Sequence, residues 1–181
     1  MRIVAGAWRG RLLTAPSGTE TRPTADRVRQ ALFDMLMHAP WAGRAVVEGA
    51  LVLDVFAGTG AMGLEALSRG AARAVFVERS RPALTALRAN IEACRAGDRC
   101  EVLPIDALTV PAGERADIVF LDPPYGQDLV ARVLARVRMA GRVGKGTLIV
   151  AETGRDEPVL EVDALSERVH GAARLTIWRE D

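Results

Sequence analysis

The chain is poor in the residues that build special-purpose scaffolds. Its 181 residues include only two cysteines, Cys94 and Cys100, with no CxxC pair or histidine cluster near them. That speaks against a disulfide framework or a zinc site and fits a reducing cytoplasm. Aromatic residues make up 4% of the chain, so Ala, Val and Leu must fill the core. No apolar run approaches the roughly 18 residues of a membrane span. The N-terminal stretch lacks the long apolar region of a signal peptide. Neither repeats nor low-complexity segments are present. Lysine occurs once against 23 arginines, a bias that codon usage in a GC-rich genome can produce.

What is present suits one domain with a full core and a small appendage: 49% hydrophobic and 26% charged residues. The net charge is only +1, but it is unevenly spread. Residues 1–44 hold seven arginines (2, 9, 11, 22, 27, 29 and 44) against Glu20, Asp26 and Asp34. This basic extension on a slightly acidic body, residues 45–181, predicts a polyanionic partner, RNA or DNA. A solvated arginine-rich surface is the bland alternative.

Residues 1–22 read as a short hairpin with Gly10 near the bend and Pro16 closing it. "RPTADRVRQALFDMLM" predicts a helix capped by Thr24, with Asp26 in its first turn. Its apolar face is Val28, Ala31, Leu32, Met35 and Leu36, with Arg27, Arg29 and Gln30 off that face. Residues 38–49 read as a connector. Strands and helices then alternate: "ALVLDVF", "AMGLEALSRG", "RAVFVE", "RPALTALRANIEACRA", "CEVLPI", "ADIVFL", "DLVARVLARVRMAG" and "GTLIVAE". Alternation of this kind predicts a doubly wound, mostly parallel α/β sheet. "SERVHGAARLTIWRE" reads as a terminal antiparallel hairpin turning at His170-Gly171, where dinucleotide dehydrogenases usually end parallel.

The first strand of the sheet runs into "DVFAGTGAMG". Gly58, Gly60 and Gly63 have GxGxxG spacing after a strand and opening a helix, so backbone can approach a ligand closely. Glu78 ends the next strand and can accept hydrogen bonds from ribose hydroxyls. Together they predict an adenosine-containing cofactor; glycine packing at a strand–helix turn is the structural alternative. A pyrophosphate wants a helix N-terminus without a nearby acid. Asp54 is such an acid, and it could instead attract the ammonium of S-adenosylmethionine. Phe56, between Asp54 and the glycines, joins the cofactor-facing set. Asp106 could accept from an adenine amino group with Ala107 lining the ring, or simply cap a helix.

"FLDPPYG" ends the fourth strand at the edge where open α/β sheets bind ligands. An exocyclic amine conjugated to a ring is a poor nucleophile. Two acceptors on its N–H bonds favour a pyramidal nitrogen with its lone pair aimed at a methyl group. Asp122 supplies one acceptor, and a proline carbonyl, Pro123 in the simplest arrangement, supplies the other. Pro123 and Pro124 hold both rigidly through fixed φ. Tyr125 can stack on a base. Catalysis would be positioning, with no metal or covalent enzyme intermediate.

"DPPY" with the upstream glycine loop resembles the class I amino-directed methyltransferases. "RPTADRVRQALFDML", "AGTGAMGLEALSRGA", "FVE" and "DPPY", in that order, resemble the RsmD family of bacterial 16S ribosomal RNA guanine-N2 methyltransferases, over about residues 2–152. The resemblance implies a Rossmann-like seven-stranded sheet and methyl transfer from S-adenosylmethionine to one guanine N2. It places Asp122, Pro123, Pro124 and Tyr125 in catalysis and Gly58, Gly60, Glu78 and Asp106 at the cofactor. It makes "WRGR" and residues 22–29 an RNA-facing appendage, with Arg9, Arg11, Arg22, Arg27 and Arg29 as candidate phosphate contacts. The implied enzyme is a cytoplasmic monomer acting on 16S rRNA within a small-subunit assembly intermediate. Competing readings are an adenine-N6 DNA or protein-glutamine methyltransferase and, more distantly, an NAD-binding module.

Overall fold

The computed structural model of the protein describes residues 1–16, 23–124 and 129–181. Seven strands form one sheet: β1 (Leu51–Val55), β2 (Arg73–Val77), β3 (Cys100–Leu103), β4 (Ile118–Leu121), β5 (Leu148–Gly154), β6 (Ala164–His170) and β7 (Ala173–Arg179). Their order is β3-β2-β1-β4-β5-β7-β6. The first five run parallel, and β7 lies antiparallel between β5 and β6. The hairpin joining β6 to β7 turns where Gly171 takes a left-handed φ of 62°.

Alternate residues along each strand serve opposite layers, as the pleat requires. Val52, Phe76, Ile118 and Phe120 face one side. They pack against Leu32, Phe33 and Leu36 of α1 (Pro23–His38), Leu64 and Leu67 of α3 (Ala61–Ser68), and Leu84 and Leu87 of α4 (Arg81–Ala93). Leu53, Val75, Val119 and Ile149 face α5 (Leu129–Met139) through Val130, Val133 and Val137. Burying each such side chain stabilises the fold by about 1.5–3 kcal/mol. Strand β1 is buried along its whole length, which explains its nearly unbroken apolar run. Between β3 and β4 a single 3-10 turn, Ala107–Thr109, replaces a crossover helix.

The N-terminal segment departs from the expected hairpin. Among the described residues only one ladder pair forms there, Arg2 with Leu12, around a 3-10 turn at Gly6–Trp8. Gly10 does sit at the return, donating its N–H to Ile3 O at 2.8 Å. The arm has no core of its own, because Ile3 and Leu13 join the helix-side cluster of the sheet. The presumed connector contains a short helix, α2 (Arg44–Val47).

Helix α1 begins at Pro23, so Thr24 lies inside its first turn rather than capping it. Its buried face also differs from expectation. Ala31 is exposed, whereas Phe33 is buried and its ring lies 5.7 Å from that of Phe120. Arg29, expected off the apolar face, is only 4% exposed. It pairs with Asp26 at 2.9 Å and with Glu65 at 3.5 Å, and donates to Arg2 O. Buried cations persist only with such partners.

Candidate active site

The site is assembled where the parallel strands end. Strand β1 stops at Val55, and Phe56 follows with a left-handed φ of 64°. That conformation costs a residue with a Cβ about 1–2 kcal/mol and points to a position held for function. Gly58 and Gly60 then take φ of 55° and 77°, which only glycine adopts freely. Gly60 also lacks space, since a Cβ there would lie 2.3 Å from a Leu87 methyl. At Gly63 a Cβ would lie 2.4 Å from the Phe76 ring, so this glycine lets α3 pack on the sheet.

Asp54 does not line the cleft. It is 3% exposed and its Oδ2 accepts the Gly63 N–H at 2.9 Å, tying β1 to the start of α3. Burial pushes its carboxyl up to about 8; Asp122 and Glu78 add like charge, and the Gly63 N–H opposes the rise. Its expected role at a ligand ammonium is therefore replaced, in this geometry, by holding the loop from behind.

Glu78 follows β2 and spans two loops. Its Oε2 accepts from Gly58 N at 2.9 Å. Its Oε1 accepts from Arg79 N at 2.8 Å and Ser80 N at 2.7 Å. A carboxylate offers about four acceptor positions, so about one remains for a ligand, on Oε2. The sequence expectation of a carboxylate free for ribose is narrowed accordingly.

Asp106 is engaged at both oxygens. Oδ1 caps the 3-10 turn by accepting from Leu108 N at 2.9 Å, and Oδ2 meets Arg79 at 2.7 Å. The Leu108 N–H, then Arg79, hold its carboxyl below the usual range. The cap is present, and Asp106 also lines the cleft; Ala107 beside it is buried at the cleft wall.

These loops enclose an open cleft of about 680 Å³, within the range of small-molecule sites. Glu78 and Asp106 stand along one side, Phe56, Ile105 and Leu108 supply apolar wall, and Asp122, Pro123 and Pro124 close the β4 end. Asp122 is exposed and lines the cleft. Desolvation, then the like charge of Glu152, raises its carboxyl to about 7. Glu152 lies within β5, one residue past Ala151, the β5 partner of Leu121, so the two acids stand one position beyond a paired couple on neighbouring strands. Tyr125 lies outside the described residues.

Sequence reasoning missed Arg79, Ser80, Ile105, Leu108, Leu129 and Arg132, which also line the cleft. Their signal was positional: most follow a strand end, the edge where such sheets bind ligands. Of the candidate RNA contacts, Arg9, Arg11 and Arg27 are exposed, and the Arg11 guanidinium donates to Ala93 O at the end of α4. Arg29 is buried in its ion pairs and offers no surface charge, a correction to the sequence expectation. Arg22 lies outside the described residues.

A residue-lined cleft of this kind suits an adenosine: apolar walls for a ring, an acid placed at the glycine loop, and the Asp54 carboxyl at the start of α3, where a pyrophosphate would sit. The antiparallel β7 between β5 and β6 separates the sheet from the dinucleotide dehydrogenases. The protein is a class I, S-adenosylmethionine-dependent methyltransferase. Comparisons narrow the class. The family model described as conserved hypothetical protein 95 matches residues 1–179. Ribosomal RNA small subunit methyltransferase D of Haemophilus influenzae is 34% identical over 187 residues, covering 99% of this chain and 93% of its own length. The chain belongs to this family, the RsmD methyltransferases. The solved structure of Escherichia coli yhhF superposes with a TM-score of 0.85 at 35% identity, over 99% of this chain and 98% of that one. A 16S rRNA N2 G1207 methyltransferase (RsmC) of Thermus thermophilus, solved with AdoMet and guanosine, superposes with a TM-score of 0.65 at 25% identity. That match covers 91% of this chain and 45% of the other.

Proposed function

We propose that the protein methylates the exocyclic N2 of one guanine in 16S ribosomal RNA. The carrying observation is the Asp122-Pro123-Pro124 turn, open to the same cleft as Glu78 and the glycine-loop side chain Phe56. The guanosine complex of the 16S rRNA N2 methyltransferase with the same fold supports guanine as the base.

S-adenosylmethionine, when bound, supplies a methyl group made electrophilic by its sulfonium. Phe56, Glu78, Asp106 and Ala107 hold it, with Gly58 and Gly60 shaping the loop; Asp54 acts through that loop. Asp122 accepts one N–H of the guanine amine and the Pro123 carbonyl accepts the other, turning the nitrogen lone pair toward the methyl carbon. As nitrogen gains the methyl it must lose a proton. A carboxyl raised to about 7 is well matched to hold that proton near neutral pH. Pro124 stiffens the turn, and Tyr125 stacks on the base. Arg9, Arg11, Arg22 and Arg27 guide the phosphate backbone to the arm.

The residues 1–44 extension is the RNA-facing part and residues 45–181 the cofactor-binding part. The natural substrate in this reading is a small-subunit assembly intermediate, because a chain of 181 residues has limited surface for reading rRNA alone. The enzyme acts as a cytoplasmic monomer.

The test is Asp122→Asn, assayed on small-subunit particles from a strain lacking the gene. Methyl transfer is expected to fall about 100-fold or more, with S-adenosylhomocysteine affinity unchanged. Nucleoside mass spectrometry should find N2-methylguanine as the wild-type product. N6-methyladenine instead would establish the adenine reading.

A further inference from the structure

Asn90 is a polar residue in the last turn of α4, with Leu87 and Ile91 buried beside it, and it is 1% exposed. Asparagine is a poor helix former whose amide competes for backbone groups, so a buried one needs partners from elsewhere. Its partners come from two segments remote from it and from each other. Oδ1 accepts the Thr14 N–H at 2.7 Å. Nδ2 donates to Thr14 O at 3.0 Å and to Thr59 O at 2.9 Å. Thr14 belongs to the N-terminal arm, and Thr59 stands between Gly58 and Gly60.

One amide thus holds both backbone groups of an arm residue, as a neighbouring strand would, while its remaining N–H fixes the carbonyl of the cofactor loop. The loop is tied onward: Gly58, next to Thr59, donates to Glu78 at the cleft. A second contact runs the same way, from the Thr59 hydroxyl to Met1 Sδ at 3.7 Å. Elsewhere the arm is fastened to α3 and, through the Arg11 guanidinium and Arg2 O, to Ala93 O of α4 and Arg29 of α1. Val4 and Ala5 donate to Glu65 at 2.8 and 3.0 Å, and Trp8 donates to Ser68 Oγ at 3.0 Å. Those contacts hold the arm without touching the loop. Asn90 bridges the two directly.

We infer that Asn90 is a positioning residue that couples the arm to the cofactor loop, so that RNA on the arm and cofactor in the cleft strengthen each other's binding. The inference rests on the proposed reading of arm and cleft. The physical logic is shared ordering. A ligand that fixes Thr59 fixes the amide, and the amide fixes Thr14. The second ligand then meets a segment already ordered. Coupling of this kind is reciprocal, so either ligand can report it.

The experiment is calorimetric titration of S-adenosylhomocysteine into the full-length protein, alone and with saturating unmethylated small-subunit particles. Wild type should bind the nucleoside about fivefold or more tightly when the particle is present. Asn90→Ala should bring that ratio to one. Thr14→Pro removes the arm's N–H from the other end of the bridge, spares α4 and should do the same; it covers the case in which Asn90→Ala fails to fold. Ser68→Ala loosens the arm away from the loop and should keep the ratio. A ratio of one in wild type, or a ratio that survives in both Asn90→Ala and Thr14→Pro, overturns the inference. A wild type that binds no nucleoside, or no particle, refutes the reading of cleft or arm instead.

Discussion

Replacing Glu78 by glutamine tests how far the cofactor site depends on a single carboxylate. The carboxylate receives three backbone N–H groups: Gly58 on Oε2, Arg79 and Ser80 on Oε1. Glutamine keeps one oxygen. Placing it at the Oε1 position satisfies two of the three donors, so the amide nitrogen must face Gly58 N–H, donor against donor. One hydrogen bond to a charged group is lost, worth about 1.5–3 kcal/mol. The same nitrogen replaces the one acceptor position left for a ribose hydroxyl. If that loss falls on binding, cofactor affinity drops about 10- to 150-fold, at 1.4 kcal/mol per factor of ten. The loop also loosens, and each kcal/mol lost from folding lowers Tm by about 2–4 °C in a protein this size. Titration with S-adenosylhomocysteine reads the first effect and thermal unfolding the second. A lowered Tm with affinity within twofold of wild type would refute the reasoning. It would make Glu78 a loop brace that never touches the cofactor.

Other outcomes follow from the same geometry. Asp122 can take the amine proton only as a carboxylate, and its carboxyl sits at about 7. Below that pH it is mostly protonated, so kcat/KM should rise with pH and level off above about 7. Glu152→Gln removes a like charge and should move that midpoint down, though not to the ordinary value, because desolvation is the larger cause. A flat wild-type profile across the range would contradict the role given to Asp122. Arg9 and Arg27 are exposed, with no side-chain hydrogen bond or ion pair among the described residues. Changing both to alanine should weaken RNA binding and reduce its salt slope by about 0.7–0.9 for each phosphate that is no longer neutralised. An unchanged slope would place RNA elsewhere.

Most of the fold was legible because burial imposes it locally. Strands covered on both faces are continuous apolar runs, and the helices between them show a single apolar stripe. What escaped was non-local. Arg29 reads as a surface cation in any window of its own helix, yet it is buried against Glu65, a carboxylate 0% exposed on α3. A clue was present, since Glu65 interrupts the otherwise apolar "AMGLEALS", just as Asn90 interrupts an apolar stripe on α4. The motif residues were found by type and spacing, but not their engagements. Asp54 faces the helix start and Asp106 caps a turn, because loop geometry decides which acid a ligand can reach. The rest of the apolar cleft wall, Ile105 and Leu108, belongs to no motif and emerges only once strand order sets the loops side by side.

The position of β7 bears on how the protein is made. Its neighbours β5 and β6 both leave the ribosome before it does. Until β7 follows, β5 presents an open edge of Leu148, Ile149 and Val150 to the crowded tunnel exit, the kind of edge that recruits foreign strands. A message cut short before β7 would therefore release a sticky fragment with the β5 edge bare.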